Sequence, residues 1–408
     1  MSGLSYSQDL TYAKDQVKTL TSSEFHGRGY VKKGDEIAAH YLANEFTKFK
    51  LQKFGRDYYQ HYEFPINTFP GAMSVNIDGK ELFPGIDFLV SPQSSGVHGT
   101  FHIETIDSTI FKANFKITDL VNKDFSGKFI LLDSVGWNRG ALRKQAFEMV
   151  YLNMIKAAGI FLVSDNPLIH SVSENNSDFC SLVIRRTAIK KHPRTLKIKI
   201  QSREIEHKAV NVIGFIPGES DTFLVISAHY DHLGMMGKNT YFPGANDNAS
   251  GTAMLLDLAK RFSLTSDRPK YSTAFMLFSG EEAGLLGSAY YTENSLFPLN
   301  KIKMLVNLDM MGTGSGGVTV FNGSTYPREY CKLDSLNKSL RLNIALRSKG
   351  ISKASDHYLF YLKKVPVLFF NCTGNEVGYH ITGDKYDALP FTVYENLFKL
   401  IDAYLKSF

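Results

Sequence analysis

From residue 208 to the C-terminus, apolar strand-like runs alternate with amphipathic helical ones. AVNVIGFIPG (209–218) and TFLVISAHYD (222–231) read as strands that meet at a Pro217-Gly218 turn. NASGTAMLLDLAKRF (248–262) reads as a helix, STAFMLFSG (272–280) as a strand and EEAGLLGSAYYTEN (281–294) as a helix. KMLVNLDMMG (303–312) and VPVLFFNC (365–372) read as two further strands. A strand with no polar alternation has no solvent face. Runs of this kind therefore imply an α/β fold whose central sheet is mostly parallel and covered by helices on both faces. Sites in such sheets form beyond the carboxyl ends of the strands.

The preceding residues have a different character. Ala38, Leu42, Phe46 and Phe49 recur at helical spacing over 31–55, with Gly55 as a stop. NIDGKEL (76–82) carries an Asp78-Gly79 hairpin signal, and LKIKIQS (196–202) alternates as a half-exposed strand. GKFILLD (127–133), the helical Ala141–Ala158 and GIFLVSD (159–165) form a strand–helix–strand unit. This reading divides the chain at 1–71, at an inserted β-rich domain over 72–205, and at 206–408, the part that holds the candidate site.

Composition excludes several classes. With 43% hydrophobic and 21% charged residues over 408 positions, the chain has ample material for a core and is not disordered. A net charge of +6, not gathered into one run of like charges, gives no reason to expect nucleic acid. No apolar run reaches the ~18 residues of a membrane span. Cys180, Cys331 and Cys372 are too scattered for a disulfide framework or a thiolate metal knuckle, and which of them might pair stays open.

The strand ends carry the chemistry. TFLVISA is followed by His229-Tyr230-Asp231-His232, with His229 and Asp231 two apart and so on one side of an extended segment. That suits a metal-ligating imidazole with an acid behind it, or simply a polar strand end. Asp247 precedes a helix that Asn248 or Ser250 could cap. Glu281 and Glu282 follow a buried strand, where they either ligate or answer a helix dipole. Asp309 ends another strand, and Tyr379-His380 lies in the loop after VPVLFF. Apolar strands have no structural need to end in acids and histidines, so the joint pattern outweighs each separate explanation. Carboxylates and imidazoles without thiolates suit Zn²⁺, Co²⁺ or Mn²⁺, with ligands enough for two ions.

HYDH, GANDNASG, FSGEEAGLLGS, NLDMMG and YHITGDKYD together resemble the zinc peptidases of family M28, the aminopeptidase Y and bacterial leucyl aminopeptidase group. LTSSEFHGRGY resembles the start of such chains, and DFSGKFILLD with IKAAGIFLVSD resembles their protease-associated (PA) domain. The resemblance implies a zinc exopeptidase-like, phosphorylase/hydrolase-like fold and a dinuclear zinc aminopeptidase acting on peptides. It implies Asp247 as the carboxylate bridging two Zn²⁺ ions, His229 and Asp309 completing one site, and Glu282 and His380 the other. Glu281 would be the general base for a shared water, and Asp231 the acid that orients His229. A non-proline cis bond is implied between Asp247 and Asn248. Tyr379 is either an oxyanion donor or a core tyrosine beside a ligand. His232 and the Asp356-His357 pair are expected in supporting roles, Arg28 and His26 near the pocket, and His98 and His170 on the surface.

Three alternatives remain at this stage. Some relatives are carboxypeptidases or single-zinc glutaminyl cyclases, although the cyclases lack the His-x-Asp pair present here. Others are non-catalytic receptor-like ectodomains that have lost ligands, whereas all ligand positions are intact here. A secreted or periplasmic location, with the signal peptide absent from this chain, is expected from the family, with a cytoplasmic one as the alternative. The preferred N-terminal residue and the oligomeric state are not legible.

Overall fold

A computed structural model describes residues 9–111, 114–135, 137, 140–265, 269–374 and 377–408. Residues 375–376, in the loop before Tyr379, lie outside this set. The chain divides into two compact units. One comprises Met1–Phe64, His207–Gly234 and Phe242–Phe408, the other Pro65–Glu206 with Met235–Tyr241.

Among the described residues of the first unit, the helices are α1 (Leu10–Leu20), α2 (Gly34–Lys48), α3 (Gly251–Ser263), α4 (Leu286–Glu293), α5 (Pro327–Ser339), α6 (His357–Leu362) and α7 (Tyr394–Lys406). The strands are β1 (Tyr59–Thr68), β2 (Arg203–Ile216), β3 (Ser220–His229), β4 (Tyr271–Phe278), β5 (Ile302–Asp309), β6 (Val318–Phe321), β7 (Leu346–Ser348) and β8 (Val367–Cys372). They form one sheet in the order β1-β2-β4-β3-β5-β8-β6-β7. The centre, β4-β3-β5-β8, is parallel throughout. β2 and β6 flank it antiparallel.

The continuous apolar runs now have a cause. Alternate residues of each central strand feed opposite cores. Leu224, Ile226 and Ala228 of β3 join Phe275 and Leu277 of β4 in a core shared with α1, α2, α3 and α7. Phe223 and Val225 join Ala274, Met276 and Phe278 in a core on the other face, with Tyr291 of α4 and Phe360 of α6. Each fully buried aliphatic or aromatic side chain contributes roughly 1.5–3 kcal/mol. The parallel register sets His229 beside Phe278, and Asp309 beside Asn371. The carboxyl ends of β3, β4, β5 and β8 therefore meet at one edge.

β2 and β3 meet at the Pro217-Gly218 turn as expected, and β4 lies between them in the sheet. A parallel neighbour on each side of β3 completes its hydrogen bonding without β2. The helix expected over 31–55 ends at Lys48, because Lys50 takes a left-handed φ of 58° and Leu51 N–H returns to Phe46 O. That is a Schellman ending on a lysine rather than on Gly55. Glu281 and Glu282 do not open a helix: a turn closes on the Glu281 carbonyl, and α4 starts only at Leu286. His170, expected on the surface, is buried.

The second unit starts at Pro65 rather than 72 and includes a short hairpin, Met235–Met236 with Thr240–Tyr241, which the sequence reading left in the site-bearing part. The unit boundaries fall within β1 and β2, which continuous strand character hides in the sequence. Its own sheet runs Lys80–Leu82, Ser74–Ile77, Thr195–Ile200, Val97–Ile106, Lys128–Leu132, Gly159–Ser164, Cys180–Arg185 and Phe88–Val90. The Asp78-Gly79 hairpin forms as expected, both residues at positive φ. The helix Ala141–Tyr151 connects the parallel strands Lys128–Leu132 and Gly159–Ser164.

At the start of α3 a Cβ on Gly251 would fall 2.6 Å from Leu308 O and 2.3 Å from Asn248 Oδ1. Gly251→Ala should therefore lower stability by about 1–3 kcal/mol, read as an earlier urea midpoint with an unchanged m-value.

Candidate metal centre

Glu281, Glu282, His229, Asp247, Asp309 and His380 all reach the carboxyl edge of the first unit's sheet, from five separate chain segments. Asp247 is the pivot. Its Oδ1 lies 3.3 Å from His229 Nε2, and its Oδ2 lies 3.1 Å from His380 Nε2. The same His229 nitrogen is 3.5 Å from Asp309 Oδ1, and the same His380 nitrogen is 3.0 Å from Glu282 Oε2. One carboxylate thus addresses two different donor sets with its two oxygens.

These separations fit cations. A tetrahedral ion with bonds of ~2.0–2.1 Å holds its ligand atoms about 3.3 Å apart. An imidazole nitrogen offers one proton or one lone pair, yet each of these two faces two carboxylate oxygens. A single positive ion between the three atoms satisfies them all. Donor atoms of His229, Glu281 and Asp309 lie within 4.8 Å of one another, as do those of His232, Asp247, Glu282 and His380.

The surroundings hold these candidate ligands in place. Asp231 is fully buried, and its Oδ1 is 3.7 Å from His229 Nδ1. It does more than face that ring, since its oxygens accept the backbone N–H groups of Glu281 at 3.2 Å and Glu282 at 3.3 Å. His229 Nδ1 lies nearer the Asp231 carbonyl, at 3.3 Å. His232 Nδ1 sits 2.6 Å from Glu282 Oε1, so the two oxygens of Glu282 are divided between His232 and His380. The Asp247-Asn248 peptide bond is cis. Asn248 donates through Nδ2 to Leu308 O at 2.9 Å and accepts from Gly251 N and Met310 N. It thereby caps α3 and ties it to the end of β5. The side-chain amide both donates and accepts here, which an ionised carboxylate could not do.

The electrostatics separate the acids. Burial raises the Glu281 carboxyl well above the ordinary range, and Glu282, Asp309 and Asp356 add to this against the pull of His229. Burial and Asp247 also work to raise Glu282, but His232 and His380 outweigh them and bring it down to about 2. Burial disfavours charge on His229, yet Glu281 and Asp309 hold its pKa well above the usual imidazole range. Asp356 is raised to about 7 by burial, its Oδ1 accepting from Ser288 at 2.5 Å. His357 is buried and held neutral, with its ring against Phe369.

Tyr379 is not a core tyrosine. It is 48% exposed and stacks on the His380 ring at 3.6 Å. Burial of its inner part and the nearby carboxylates raise its pKa, so the hydroxyl keeps its proton. A cavity of about 230 Å³ is lined by His229, Asp247, Glu281 and Asp309 together with Phe369 and Tyr379, among others. Arg28 is buried, with all its donors on main-chain carbonyls. Sequence reasoning missed Asp384, whose oxygens accept from Asn246 N and Asp247 N. The one available signal was an acid inside YHITGDKYD, beside a ligand.

Residues 211–405 match the profile of the family described as Peptidase family M28. Aminopeptidase YwaD of Bacillus subtilis is 35% identical over 124 residues, covering 29% of this chain and 25% of that protein. A probable zinc metalloprotease of Pyricularia oryzae is 34% identical over 113 residues, covering 27% of this chain and 22% of that protein. The chain therefore aligns with about a quarter of the length of these relatives. Among solved structures, a zinc aminopeptidase from Bacillus subtilis superposes with a TM-score of 0.72 at 18% identity, covering 97% of this chain and 94% of that one. At that identity the likeness speaks for the fold.

Asp231→Asn would turn one amide N–H acceptor into an opposed NH₂ group. The expected loss is about 1–3 kcal/mol in urea unfolding. An unchanged midpoint would refute the role of Asp231 in holding the Glu281–Glu282 turn.

Proposed function

From the match of residues 211–405 to the profile described as Peptidase family M28, we propose that the chain is a dinuclear zinc metallo-aminopeptidase of that family that releases N-terminal residues from peptides. The observation that carries this reading is the division of Asp247 between His229 and His380. His229 and Asp309 would hold one ion and Glu282 and His380 the other, with Asp247 shared. The carboxylate and imidazole donors suit zinc among other divalent ions, and the names of the relatives favour zinc. Two divalent ions in these positions would supply the positive charge that ionises a water near neutral pH.

The chain's own residues do the rest. Glu281, which lines the cavity, would take a proton and return it to the leaving amine. Asp231 holds Glu281 and Glu282 through their amides. Tyr379 lines the cavity, and its hydroxyl would donate to the substrate carbonyl oxygen. Glu281, Glu282 and Asp309 offer negative charge to a substrate α-ammonium. The second unit, with its strand–helix–strand segment, we read as a protease-associated insert.

The carboxypeptidase alternative needs a cation for the substrate's C-terminus, because a buried unpaired carboxylate is costly. No Arg or Lys is among the described residues lining the cavity. Arg28 is buried with its donors committed, Lys353 lies over the Tyr358 ring, and Lys385 is exposed. The intact His229–Asp231 pair argues against a single-zinc cyclase, and the complete ligand set against a receptor-like ectodomain.

Glu281→Gln should lower kcat by ~10²–10⁴-fold while zinc content stays at the wild-type level. Glu282→Gln should instead lose zinc. Near-wild-type kcat in Glu281→Gln would remove it as the general base. Substrate polarity is tested with one peptide in free, N-acetylated and C-amidated forms. Acetylation should stop cleavage and amidation should leave it intact, and the reverse would indicate a carboxypeptidase.

A further inference from the structure

Arg28 is fully buried. Its Nε donates to Tyr230 O at 2.8 Å, its Nη1 to Leu20 O at 3.0 Å and Pro243 O at 2.6 Å, and its Nη2 to Gly244 O at 2.8 Å and Asp247 O at 3.3 Å. A guanidinium has five N–H donors, and here each meets a carbonyl oxygen. Burial lowers its pKa to about 10, against the pull of Asp384, Asp247, Asp231 and Glu282, so it stays charged at neutral pH.

The same loop is held from a second direction. Asp384 is buried, its Oδ1 accepting from Asn246 N at 2.9 Å and its Oδ2 from Asp247 N at 3.1 Å. The Asp384 carbonyl accepts from Ala245 N at 3.1 Å. The carbonyls of residues 243, 244 and 247 thus turn to a cation, and the amides of 246 and 247 turn to an anion. Peptide dipoles aligned between opposite charges have one favoured orientation. That orientation sets the Cα–Cβ direction of Asp247, and with it where each carboxylate oxygen points. The Nε contact to Tyr230 O ties the loop to the segment bearing His229, Asp231 and His232.

We propose that Arg28 and Asp384 form a two-sided main-chain clamp on residues 243–247, and that both are positioning residues whose task is to make Asp247 bridge the two donor sets. This rests on the dinuclear reading above. Arg is needed because lysine brings three donors at one point, not a planar fork that spans two chain segments. A carboxylate is needed at 384 because both of its oxygens must accept.

The test uses the full chain with Arg28→Lys and with the isosteric Asp384→Asn, zinc being titrated against a chromophoric competitor beside the wild type. A lost bridge weakens the two equivalents unequally, whereas general loosening weakens both alike. The second equivalent should weaken by about tenfold or more, the first by less than about threefold. In the zinc-loaded Asp384→Asn protein, amide hydrogen exchange at Asn246 and Asp247 should quicken by roughly tenfold while the β3 and β5 amides stay protected. Equal weakening of both equivalents, no weakening, or unchanged exchange at these two amides would each overturn the clamp. If Arg28→Lys yields no folded protein, Asp384→Asn decides alone. If the wild type itself takes up one equivalent, the dinuclear reading fails, and the clamp is then judged by exchange.

Discussion

Like-charge repulsion in a buried place governs this molecule. Asp231, Asp247, Glu281, Glu282, Asp309, Asp356 and Asp384 all lie at or behind one sheet edge, most of them out of water. Carboxylates so placed raise one another's pKa unless something positive or hydrogen-bonding answers them. The structure answers each differently. Asp231 and Asp384 receive backbone amides, Glu282 and Asp247 face imidazoles, and Asp356 is left raised to about 7 with a serine hydroxyl on one oxygen. Glu281 is raised by burial and by the acids Glu282, Asp309 and Asp356, and among the described residues no donor meets its carboxylate.

The scaffold meets this cost by rigidity. Apolar residues on both faces of β3, β4, β5 and β8 lock the parallel register, so the strand ends that carry the candidate site cannot slide apart. A one-residue slip would exchange the two cores completely, because side chains alternate with a period of two. Neutral amides then stitch the loops to the strand ends. Asn248 ties α3 to β5, Asn246 accepts from Gly312 N, and Asn307 links Ser227 to Ser355. The apolar core and the polar edge are therefore one construction, since the core supplies the precision that the acids need.

Much of the site was legible because a fully apolar strand makes any charged residue at its end conspicuous. His229, Asp309 and the Glu281–Glu282 pair stood out on those grounds alone. His380 and Asp247, both in loops, gained their meaning from the motif as a whole. Arg28 was noticed only for its neighbourhood, because nothing in FHGRGY reveals that five carbonyls from distant segments converge on it. Asp384 was passed over, since an acid in a polar loop is ordinary until its partners are known. The Asp231 carboxylate was expected to serve His229, while its hydrogen bonds to the two glutamate amides join residues 50 and 51 apart that no local pattern connects.

The sequence by itself determined the buried parallel sheet, the edge that carries the chemistry and the residue types gathered there. Those features depend on periodicity and side-chain chemistry, which are local. Tertiary structure alone decided that β4 separates β2 from β3, that the second unit begins within a strand, and that the two oxygens of Asp247 serve different imidazoles. Each depends on which distant segments become neighbours, and the energy of that choice comes from packing and backbone pairing between them, which no single stretch of the chain contains.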